Sequence, residues 1–306
     1  MKKAAVIGFG YWGPNLCRVI ESSRLYTLDT ICEKSEARRK AAKAKFPNAE
    51  LVSDYKKISD VDIVFIATPA NSHLDIICFF ANKNVMIFVE KPIVSTVSDF
   101  EKLHSLNFNE NIFVSNPFAF HGLTIELKSR ISKMQKDDLI SFRSTRASMG
   151  IVRDDTDILF DLGPHDLSIL KFLFGSQEII NFSKQDVELH GKVVTKDLNF
   201  QYGSIQVNLY LDWFSPVKKR NLTVITKSKI FDCDFASNKL DIYDVMLSKN
   251  SGLWEQNSLL VETFVPEPVE PLHQMIDSIF DDVNASTSQA LEADFWGSVY
   301  ETLFGF

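Results

Sequence analysis

A two-domain α/β protein is predicted by three features of this chain: its first domain a doubly wound parallel sheet, its second an α+β unit on a mainly antiparallel open sheet. Strand-like and helix-like apolar patterns alternate over residues 1–116. A glycine-rich turn follows the first strand pattern, and an acid, Glu33, closes the second. Beyond Asn116-Pro117 the alternation stops and short apolar stretches follow one another across short connections, a hairpin pattern. With 306 residues, 45% of them hydrophobic, the chain can fill two cores, and domains of 1–116 and 117–306 follow.

Residues 4–7 read as a strand that runs into Gly8-Phe9-Gly10-Tyr11-Trp12-Gly13 and then a helix to about residue 21. This is the dinucleotide fingerprint of a Rossmann fold in its required setting. Gly8 permits the tight turn, Gly10 lets a pyrophosphate approach the backbone, and Gly13 lets helix and strand pack closely. A second strand over 27–32 ends at Glu33, 20 residues after Gly13, where an acid accepts hydrogen bonds from the adenosine ribose. Its charge repels a 2′-phosphate and favours NAD, while Lys34, Ser35 and Arg38 follow closely enough to accommodate that phosphate, which leaves NADP open. Strands at 62–67 and 85–89 alternate with helices at 36–46 and 72–82. Ligands of such sheets lie at the carboxyl ends of the strands. Two loops leave those ends, Thr68-Pro69-Ala70-Asn71-Ser72-His73 and Glu90-Lys91-Pro92. Taken locally, the first is a turn and Lys91 a solvated loop lysine.

In the second domain a helix over 123–134 and strands at 139–146, 179–189, 205–211, 221–226 and 230–234 are expected. Between the first two strands lies Asp161-Leu162-Gly163-Pro164-His165-Asp166. Pro164 suits a first helical position, Asp166 is an acid in the first turn, and Leu167, Leu170, Leu173 and Phe174 form an apolar face ending at Gly175, so a helix is expected to begin at His165. There the positive end of the helix dipole disfavours imidazolium, and Asp161, four residues earlier, is placed to hold the other ring nitrogen. Simple helix capping by the same two residues is the alternative. Arg146 and Arg153 fall in a stretch with Ser148, Gly150 and Asp155 that has little apolar periodicity and reads as a loop near an active site. Their guanidinium groups suit a sugar carboxylate or a diphosphate, or else pair with Asp154, Asp155 or Asp157. Pro266, Pro268 and Pro271 mark a linker before helices at 272–283 and 289–303, and Phe295, Trp296, Phe304 and Phe306 suggest a buried C-terminus.

A net charge of −7 argues against a nucleic-acid groove and for a small-molecule partner. The N-terminal apolar run is too short for a signal sequence and no stretch approaches a membrane span, so a cytoplasmic protein is expected. Cys17, Cys32, Cys78 and Cys233 are scattered without metal-ligand spacing and read as reduced packing thiols, with no metal site. Asn221-Leu222-Thr223 and Asn284-Ala285-Ser286 match the glycosylation pattern, which matters only in a secreted chain.

The motifs GxGYWG, ATPxxxH, EKP and DLGPHD, in this order, resemble the glucose-fructose oxidoreductase/inositol dehydrogenase/MocA family of nicotinamide-dependent sugar oxidoreductases. Gly8 to Asn15 and the run from Arg146 to Asp155 are most similar to its nucleotide-sugar branch, especially UDP-N-acetylglucosaminuronate 3-dehydrogenases. The resemblance implies that Lys91, Asp161 and His165 are catalytic. It implies a cofactor lining of Tyr11, Trp12, Thr68, Pro69, Asn71, His73, Glu90, Lys91 and Pro92 beside the glycines, Glu33, Lys34 and Arg38, with a cis Lys91-Pro92 bond. Asn116, Arg146, Arg153 and His165 are the substrate candidates. Glu33 replaces a more usual Asp, and Asn116 and Phe120 stand where branch members often have His and Tyr. The open face of the second sheet is implied to pack on another subunit, in a homodimer or homotetramer.

Hydride transfer from a secondary alcohol needs a base and an alkoxide stabiliser on one hydroxyl. His165 is read as the base, Lys91 as its partner at the oxygen and Asp161 as the residue orienting His165. The expected reaction oxidises a sugar hydroxyl, C3 of a UDP-linked sugar, with NAD in surface-polysaccharide synthesis. Alternatives are an NADPH-dependent ketosugar reductase, an inositol or free-sugar dehydrogenase, and a non-catalytic NAD sensor.

Overall fold

The computed structural model describes residues 1–83, 85–105, 111–149, 152, 156–250 and 253–279. The helix expected at 289–303, the aromatic residues Phe295, Trp296, Phe304 and Phe306, and Arg153 with Gly150, Asp154 and Asp155 lie outside the described residues. Two compact units emerge, one of Met1–Pro117 together with the segment from Glu270, the other Phe118–Val269. The expected second domain, 117–306, therefore differs from the observed unit at its C-terminal end, where the chain returns to the first unit.

The first unit holds a six-stranded parallel sheet in the order β3-β2-β1-β4-β5-β6, the order of a dinucleotide-binding doubly wound fold. Its strands are β1 (Lys2–Ile7), β2 (Tyr26–Cys32), β3 (Glu50–Val52), β4 (Ile63–Ile66), β5 (Met86–Val89) and β6 (Ile112–Val114). Helices α1 (Gly13–Ser22), α2 (Glu36–Lys45), α3 (His73–Ala81) and α4 (Val97–Ser105) connect them. All four residues of β4 are buried, as a strand covered on both faces requires. Tyr26 meets Phe65 edge-on and Phe65 meets Phe88 at a tilt across the sheet, with ring centres 5.9 and 5.1 Å apart. Strands β3 and β6, three residues each, are too short to show a periodic pattern and escape the sequence reading.

In the second unit α5 (Gly122–Ile131), β7 (Leu139–Ala147) and α6 (Ile158–Phe174) precede β8 (Ile179–Leu189), β9 (Lys192–Tyr202), β10 (Ile205–Asp212), β11 (Lys219–Thr226), β12 (Lys229–Asp234), β13 (Lys239–Asn250) and β14 (Leu253–Phe264). Eight strands form one sheet in the order β14-β13-β12-β11-β7-β10-β9-β8. Only the β7–β10 pair is parallel. Along β10, Ile205, Val207, Leu209 and Leu211 are buried on the face that α6 covers. The intervening residues line the other face, where polar side chains pair with one another: Asn208 donates to Asp197 (2.6 Å), Thr223 to Asp232 (2.8 Å) and Thr263 to Asp241 (2.6 Å).

The start of α6 corrects the sequence reading. The helix begins at Ile158, not at His165, because Asp157 supplies the cap: its carboxylate accepts the Leu159 N–H at 2.7 Å. Pro164 sits inside the helix, where it has no N–H to donate. Gly163 eases the strain on the residue before a proline, and a Cβ there would meet Leu159 Cδ1 at 2.5 Å and Leu211 Cδ1 at 3.7 Å. Packing of α6 on β10 thus outweighs the proline. His165 lies mid-helix, so the dipole argument made for it does not apply.

After Phe264 the chain returns to the first unit as α7 (Pro271–Ser278), where Met275 and Ile276 are fully buried. Tyr26 donates its hydroxyl hydrogen to the Ile276 carbonyl (2.7 Å), Ser23 bonds Asp277 (2.8 Å), and Arg18 forks onto Glu270.

Candidate active site

In the first unit the turn from β1 into α1 is built around two glycines that admit no side chain. Gly8 has φ +100°, and a Cβ on it would meet the Ala67 carbonyl oxygen at 2.6 Å. A Cβ on Gly13 would fall 2.0 Å from the Gly8 oxygen. Gly10, by contrast, faces open space with nothing within 4 Å, where the sequence reading places an approaching pyrophosphate. A cleft of about 470 Å³ lies beside it, lined by Gly8, Gly10, Glu33, Lys34, Arg38, Thr68, Pro69 and Asn71 among others. Ser53, Tyr55 and Asp75 also reach it; nothing in their local sequence marks them.

Glu33 is buried at the lip of this cleft. One carboxylate oxygen accepts the Phe9 N–H (2.9 Å), the other the Ser35 N–H (2.8 Å), and Arg38 pairs with it at 3.2 Å. Burial alone would raise its pKa, but the hydrogen bonds from Ser35, Phe9 and Arg38 outweigh burial and hold it below the usual carboxylate range. The acid is therefore an anion tied to the glycine turn, and Arg38 is committed to it.

His73, expected along the cofactor, is only 1% exposed. Its Nδ1 meets the Pro92 carbonyl at 3.0 Å and its Nε2 the Thr68 carbonyl at 2.8 Å. It joins the two loops at the strand ends from beneath instead of lining the cleft. Burial lowers its pKa, against the pull of those carbonyls. The Lys91-Pro92 bond is cis. Beside it the Glu90 carboxyl is pushed up to about 7, chiefly by burial, with Ser115, Lys91 and Trp12 pulling the other way. Glu90 Oε1, Trp12 Nε1 and Ser115 Oγ are buried close to one another without full hydrogen-bond geometry, and Asn116 Oδ1 is buried without a partner among the described residues. Such incompletely satisfied donors and acceptors fit a polar ligand that completes them. The first unit thus offers a bare backbone, an anchored acid and unsatisfied polar atoms, which suit a dinucleotide.

In the second unit Asp161 and His165 lie one helical turn apart on the same face of α6. Asp161 accepts a hydrogen bond from the indole N–H of buried Trp213 at 3.1 Å. The His165 ring stands edge-on to Phe118, centres 5.0 Å apart. The next residue, Asp166, is buried and accepts two hydrogen bonds from Arg146, each 2.9 Å. Arg146 corrects a second expectation. It is a residue of β7, buried and stacked over Phe118 at 4.4 Å, not part of a loop. Its fork is taken by Asp166, an acid 20 residues on that local sequence could not reveal.

Residues 2–115 match the family described as an oxidoreductase family with an NAD-binding Rossmann fold, Gfo/Idh/MocA. Over these residues the chain is similar to that family. Among curated relatives, the NAD(+)-dependent scyllo-inositol 2-dehydrogenase of Bacillus subtilis is 24% identical over 230 residues, covering 70% of this chain and 64% of that enzyme. The inositol 2-dehydrogenase of Rhizobium meliloti is 25% identical over 134 residues, covering 40% of this chain and 39% of its own length. The chain thus spans less than two thirds of these relatives. In fold, UDP-N-acetylglucosamine 3-dehydrogenase from Acidithiobacillus ferrooxidans superposes with a TM-score of 0.81 at 16% identity, over 99% of this chain and 95% of that one. An Agrobacterium radiobacter oxidoreductase solved with NAD+, L-tartaric acid and magnesium gives a TM-score of 0.77 at 14% identity, over 99% of this chain and 96% of that one.

Two further residues of the second unit were not singled out from sequence. Trp213, beyond the end of β10, holds Asp161. His121 caps α5 by accepting the Leu123 N–H on Nδ1 at 3.2 Å, and its ring stacks on Phe118. Burial lowers the His121 pKa. Asn116 is fully buried and its side-chain amide donates to the Val114 carbonyl at 3.3 Å.

Proposed function

We propose that this protein is an NAD-dependent dehydrogenase acting on a secondary hydroxyl, C3 of a UDP-linked sugar, in the making of surface polysaccharide in the cytoplasm. The observation that carries the reading is the Asp161–His165 face of α6, with Asp161 anchored by Trp213 and the adjacent Asp166 already neutralised by Arg146. Bound NAD supplies the hydride acceptor. Gly8, Gly10 and Gly13 leave its pyrophosphate room at the backbone, and Glu33 receives the ribose hydroxyls, holding the cofactor in place. His165 takes the proton of the reacting hydroxyl, and the Lys91 ammonium hydrogen-bonds the same oxygen. Asp161, itself held, fixes the ring of His165, so that the base does not need to be oriented during the reaction. Arg153 and Asn116 are the remaining candidates for substrate contact. Assembly through the polar open face of the second sheet, as a homodimer or homotetramer, belongs to the same reading.

A second reading, oxidation of a free inositol, is favoured by the named activities of two curated relatives. A single turnover of cofactor-loaded protein with UDP-sugars, free hexoses and inositols, followed by mass spectrometry, separates the two. A 3-keto UDP-sugar is the expected product; reaction with inositols and no UDP-sugar refutes the first reading. Lys91→Ala and His165→Asn are each expected to lower turnover ~10²–10⁴-fold with thermal stability and NAD binding retained. Near-normal turnover in both variants refutes the assignment.

A further inference from the structure

The cluster around Phe118 holds one charge more than the acid/base reading uses. In the antiparallel register of β7 and β11, Arg220 stands directly opposite Arg146, so both side chains leave the sheet on the same face, the one that carries α6. Both guanidinium groups lie near the Phe118 ring, at 4.4 and 5.7 Å from its centre, and like charges so placed repel. The acid within reach is Asp166, and both its oxygens are engaged by Arg146. Among the described residues Arg220 makes no ion pair and no side-chain hydrogen bond, yet it is half-buried, its guanidinium 5.7 Å from the centre of the Phe118 ring. Burial first, then Arg146, lower its pKa, with Asp166 partly compensating; as an arginine it remains a cation. Desolvating a cation beside another without a counter-ion is unfavourable, which is the signature of a group waiting for an anion.

The surroundings fit a ligand. Phe118 is touched on its edges and faces by His165 (5.0 Å), Phe235 (5.6 Å) and His121 (6.4 Å). Phe118, His121, His165, Arg220 and Phe235 are all half-buried, so each keeps a part of its side chain open to a bound molecule. His121 spends Nδ1 on the α5 cap, so its neutral ring carries the hydrogen on Nε2 as a donor. The cluster's formal charge, leaving the imidazoles aside, is that of two arginines less one aspartate.

We propose that Arg220 is the substrate's anion anchor, binding an oxyanion of the molecule whose hydroxyl His165 deprotonates. Two groups carry that chemistry: a carboxylate on the sugar itself, and the diphosphate of a nucleotide carrier. Arg220 offers a planar fork to either. The inference rests on the dehydrogenase reading for the identity of the ligand, not for the existence of the anion site.

The test is therefore a binding experiment that needs no turnover. NAD-loaded protein, as wild type, Arg220→Gln and Arg220→Lys, is titrated calorimetrically with UDP, with glucuronate, and with glucose as a neutral control. Wild type is expected to bind at least one of the two anions. Arg220→Gln should weaken that anion about 10- to 100-fold, the scale of a lost charge-assisted hydrogen-bond pair, and Arg220→Lys should recover part of the loss. Glucose should bind equally to all three. A loss confined to glucuronate assigns the site to a sugar carboxylate, and one confined to UDP assigns it to the carrier phosphates. The proposal is overturned if neither anion binds wild type, if Arg220→Gln binds both as wild type does, or if glucose weakens as much as the anions. Thermal melts establish that the variants are folded, and if Arg220→Gln does not fold, the Lys variant carries the same comparison. Failure of the oxidation reading would show as absent turnover with the anion result intact.

Discussion

Replacing Arg146 with methionine should be among the most damaging single changes in the second unit. The Arg146 and Asp166 side chains are 5% and 2% exposed, and two N–H···O bonds of 2.9 Å join them. Methionine keeps much of the volume stacked on Phe118 but leaves a buried carboxylate without its counter-ion, which costs about 3–5 kcal/mol. Arg220, on the neighbouring strand, remains as a partial substitute, so the lower part of that range is expected. Against a total stability of about 5–15 kcal/mol for a domain, this is a large fraction. Asp166→Leu alone should cost a similar amount, because it leaves buried Arg146 without its counter-ion and with Arg220 opposite it on the neighbouring strand. The double variant Arg146→Met/Asp166→Leu removes both charges and should lie within about 1 kcal/mol of wild type, since well-packed apolar replacements of buried ion pairs are often neutral. Urea unfolding of the four proteins, followed by a signal from the second unit, gives the coupling energy directly. An Arg146→Met variant within about 1 kcal/mol of wild type, with unchanged cooperativity, would refute the picture of a charge held by that one partner.

The two glycines of the first turn should separate binding from folding. Gly8→Ala collides with the Ala67 carbonyl at a positive φ and should lower stability by about 1–3 kcal/mol, whereas Gly10→Ala meets open space and should leave the melting temperature unchanged while weakening NAD at least tenfold in calorimetry. Glu33→Ser should narrow the preference for NAD over NADP and, by releasing the Phe9 N–H, also weaken NAD; a wild-type preference for NADP would contradict the assigned role. Glu90 has a folded-state pKa raised from 4.5 to about 7, so its ionisation opposes folding. Below pH 4.5 both states carry the proton and nothing is lost; stability then falls as pH rises to about 7 and is level above it. Glu90→Gln should thus match wild type at acid pH and exceed it at pH 8 by up to about 3 kcal/mol in melts of the cofactor-free protein.

The first unit was legible because its signals are local. A strand, three spaced glycines and an acid at the next strand end occur in one short stretch, and each dictates a backbone feature found at Gly8, Gly13 and Glu33. His73, expected along the cofactor, has a buried ring that serves carbonyls contributed by two loops, a partnership that no spacing reveals. In the second unit the misreading of α6 has a clear cause. Pro164 is a strong start signal taken alone, but Asp157 ahead of Ile158 and Leu159 was an equally good cap, and packing against β10 decided between them. Arg146 read as the point where the strand over 139–146 gives way to a loop, because a charged side chain interrupts the alternation and its partner on α6 is distant in sequence. Strands β9, β13 and β14 went unseen because polar residues on the open face and on the outer hairpin dilute their apolar period. Trp213, His121 and Arg220 belong to the same class: each acquires meaning only through a neighbour that the sheet brings to it.

The return of the chain to the first unit bears on how the protein is made. Ser23 and Tyr26 near the beginning are satisfied by Asp277 and Ile276 near the end, with Arg18 on Glu270 beside them. A nascent chain leaving the ribosome at ~5–20 residues per second has its six parallel strands on the order of ten seconds before α7 emerges. During that interval the surface that α7 later covers is exposed, while the whole second unit is synthesised and free to fold. The first unit to be translated is thus the last to be completed, and its cofactor is a natural holding ligand for that wait, since binding a folded state stabilises it by mass action.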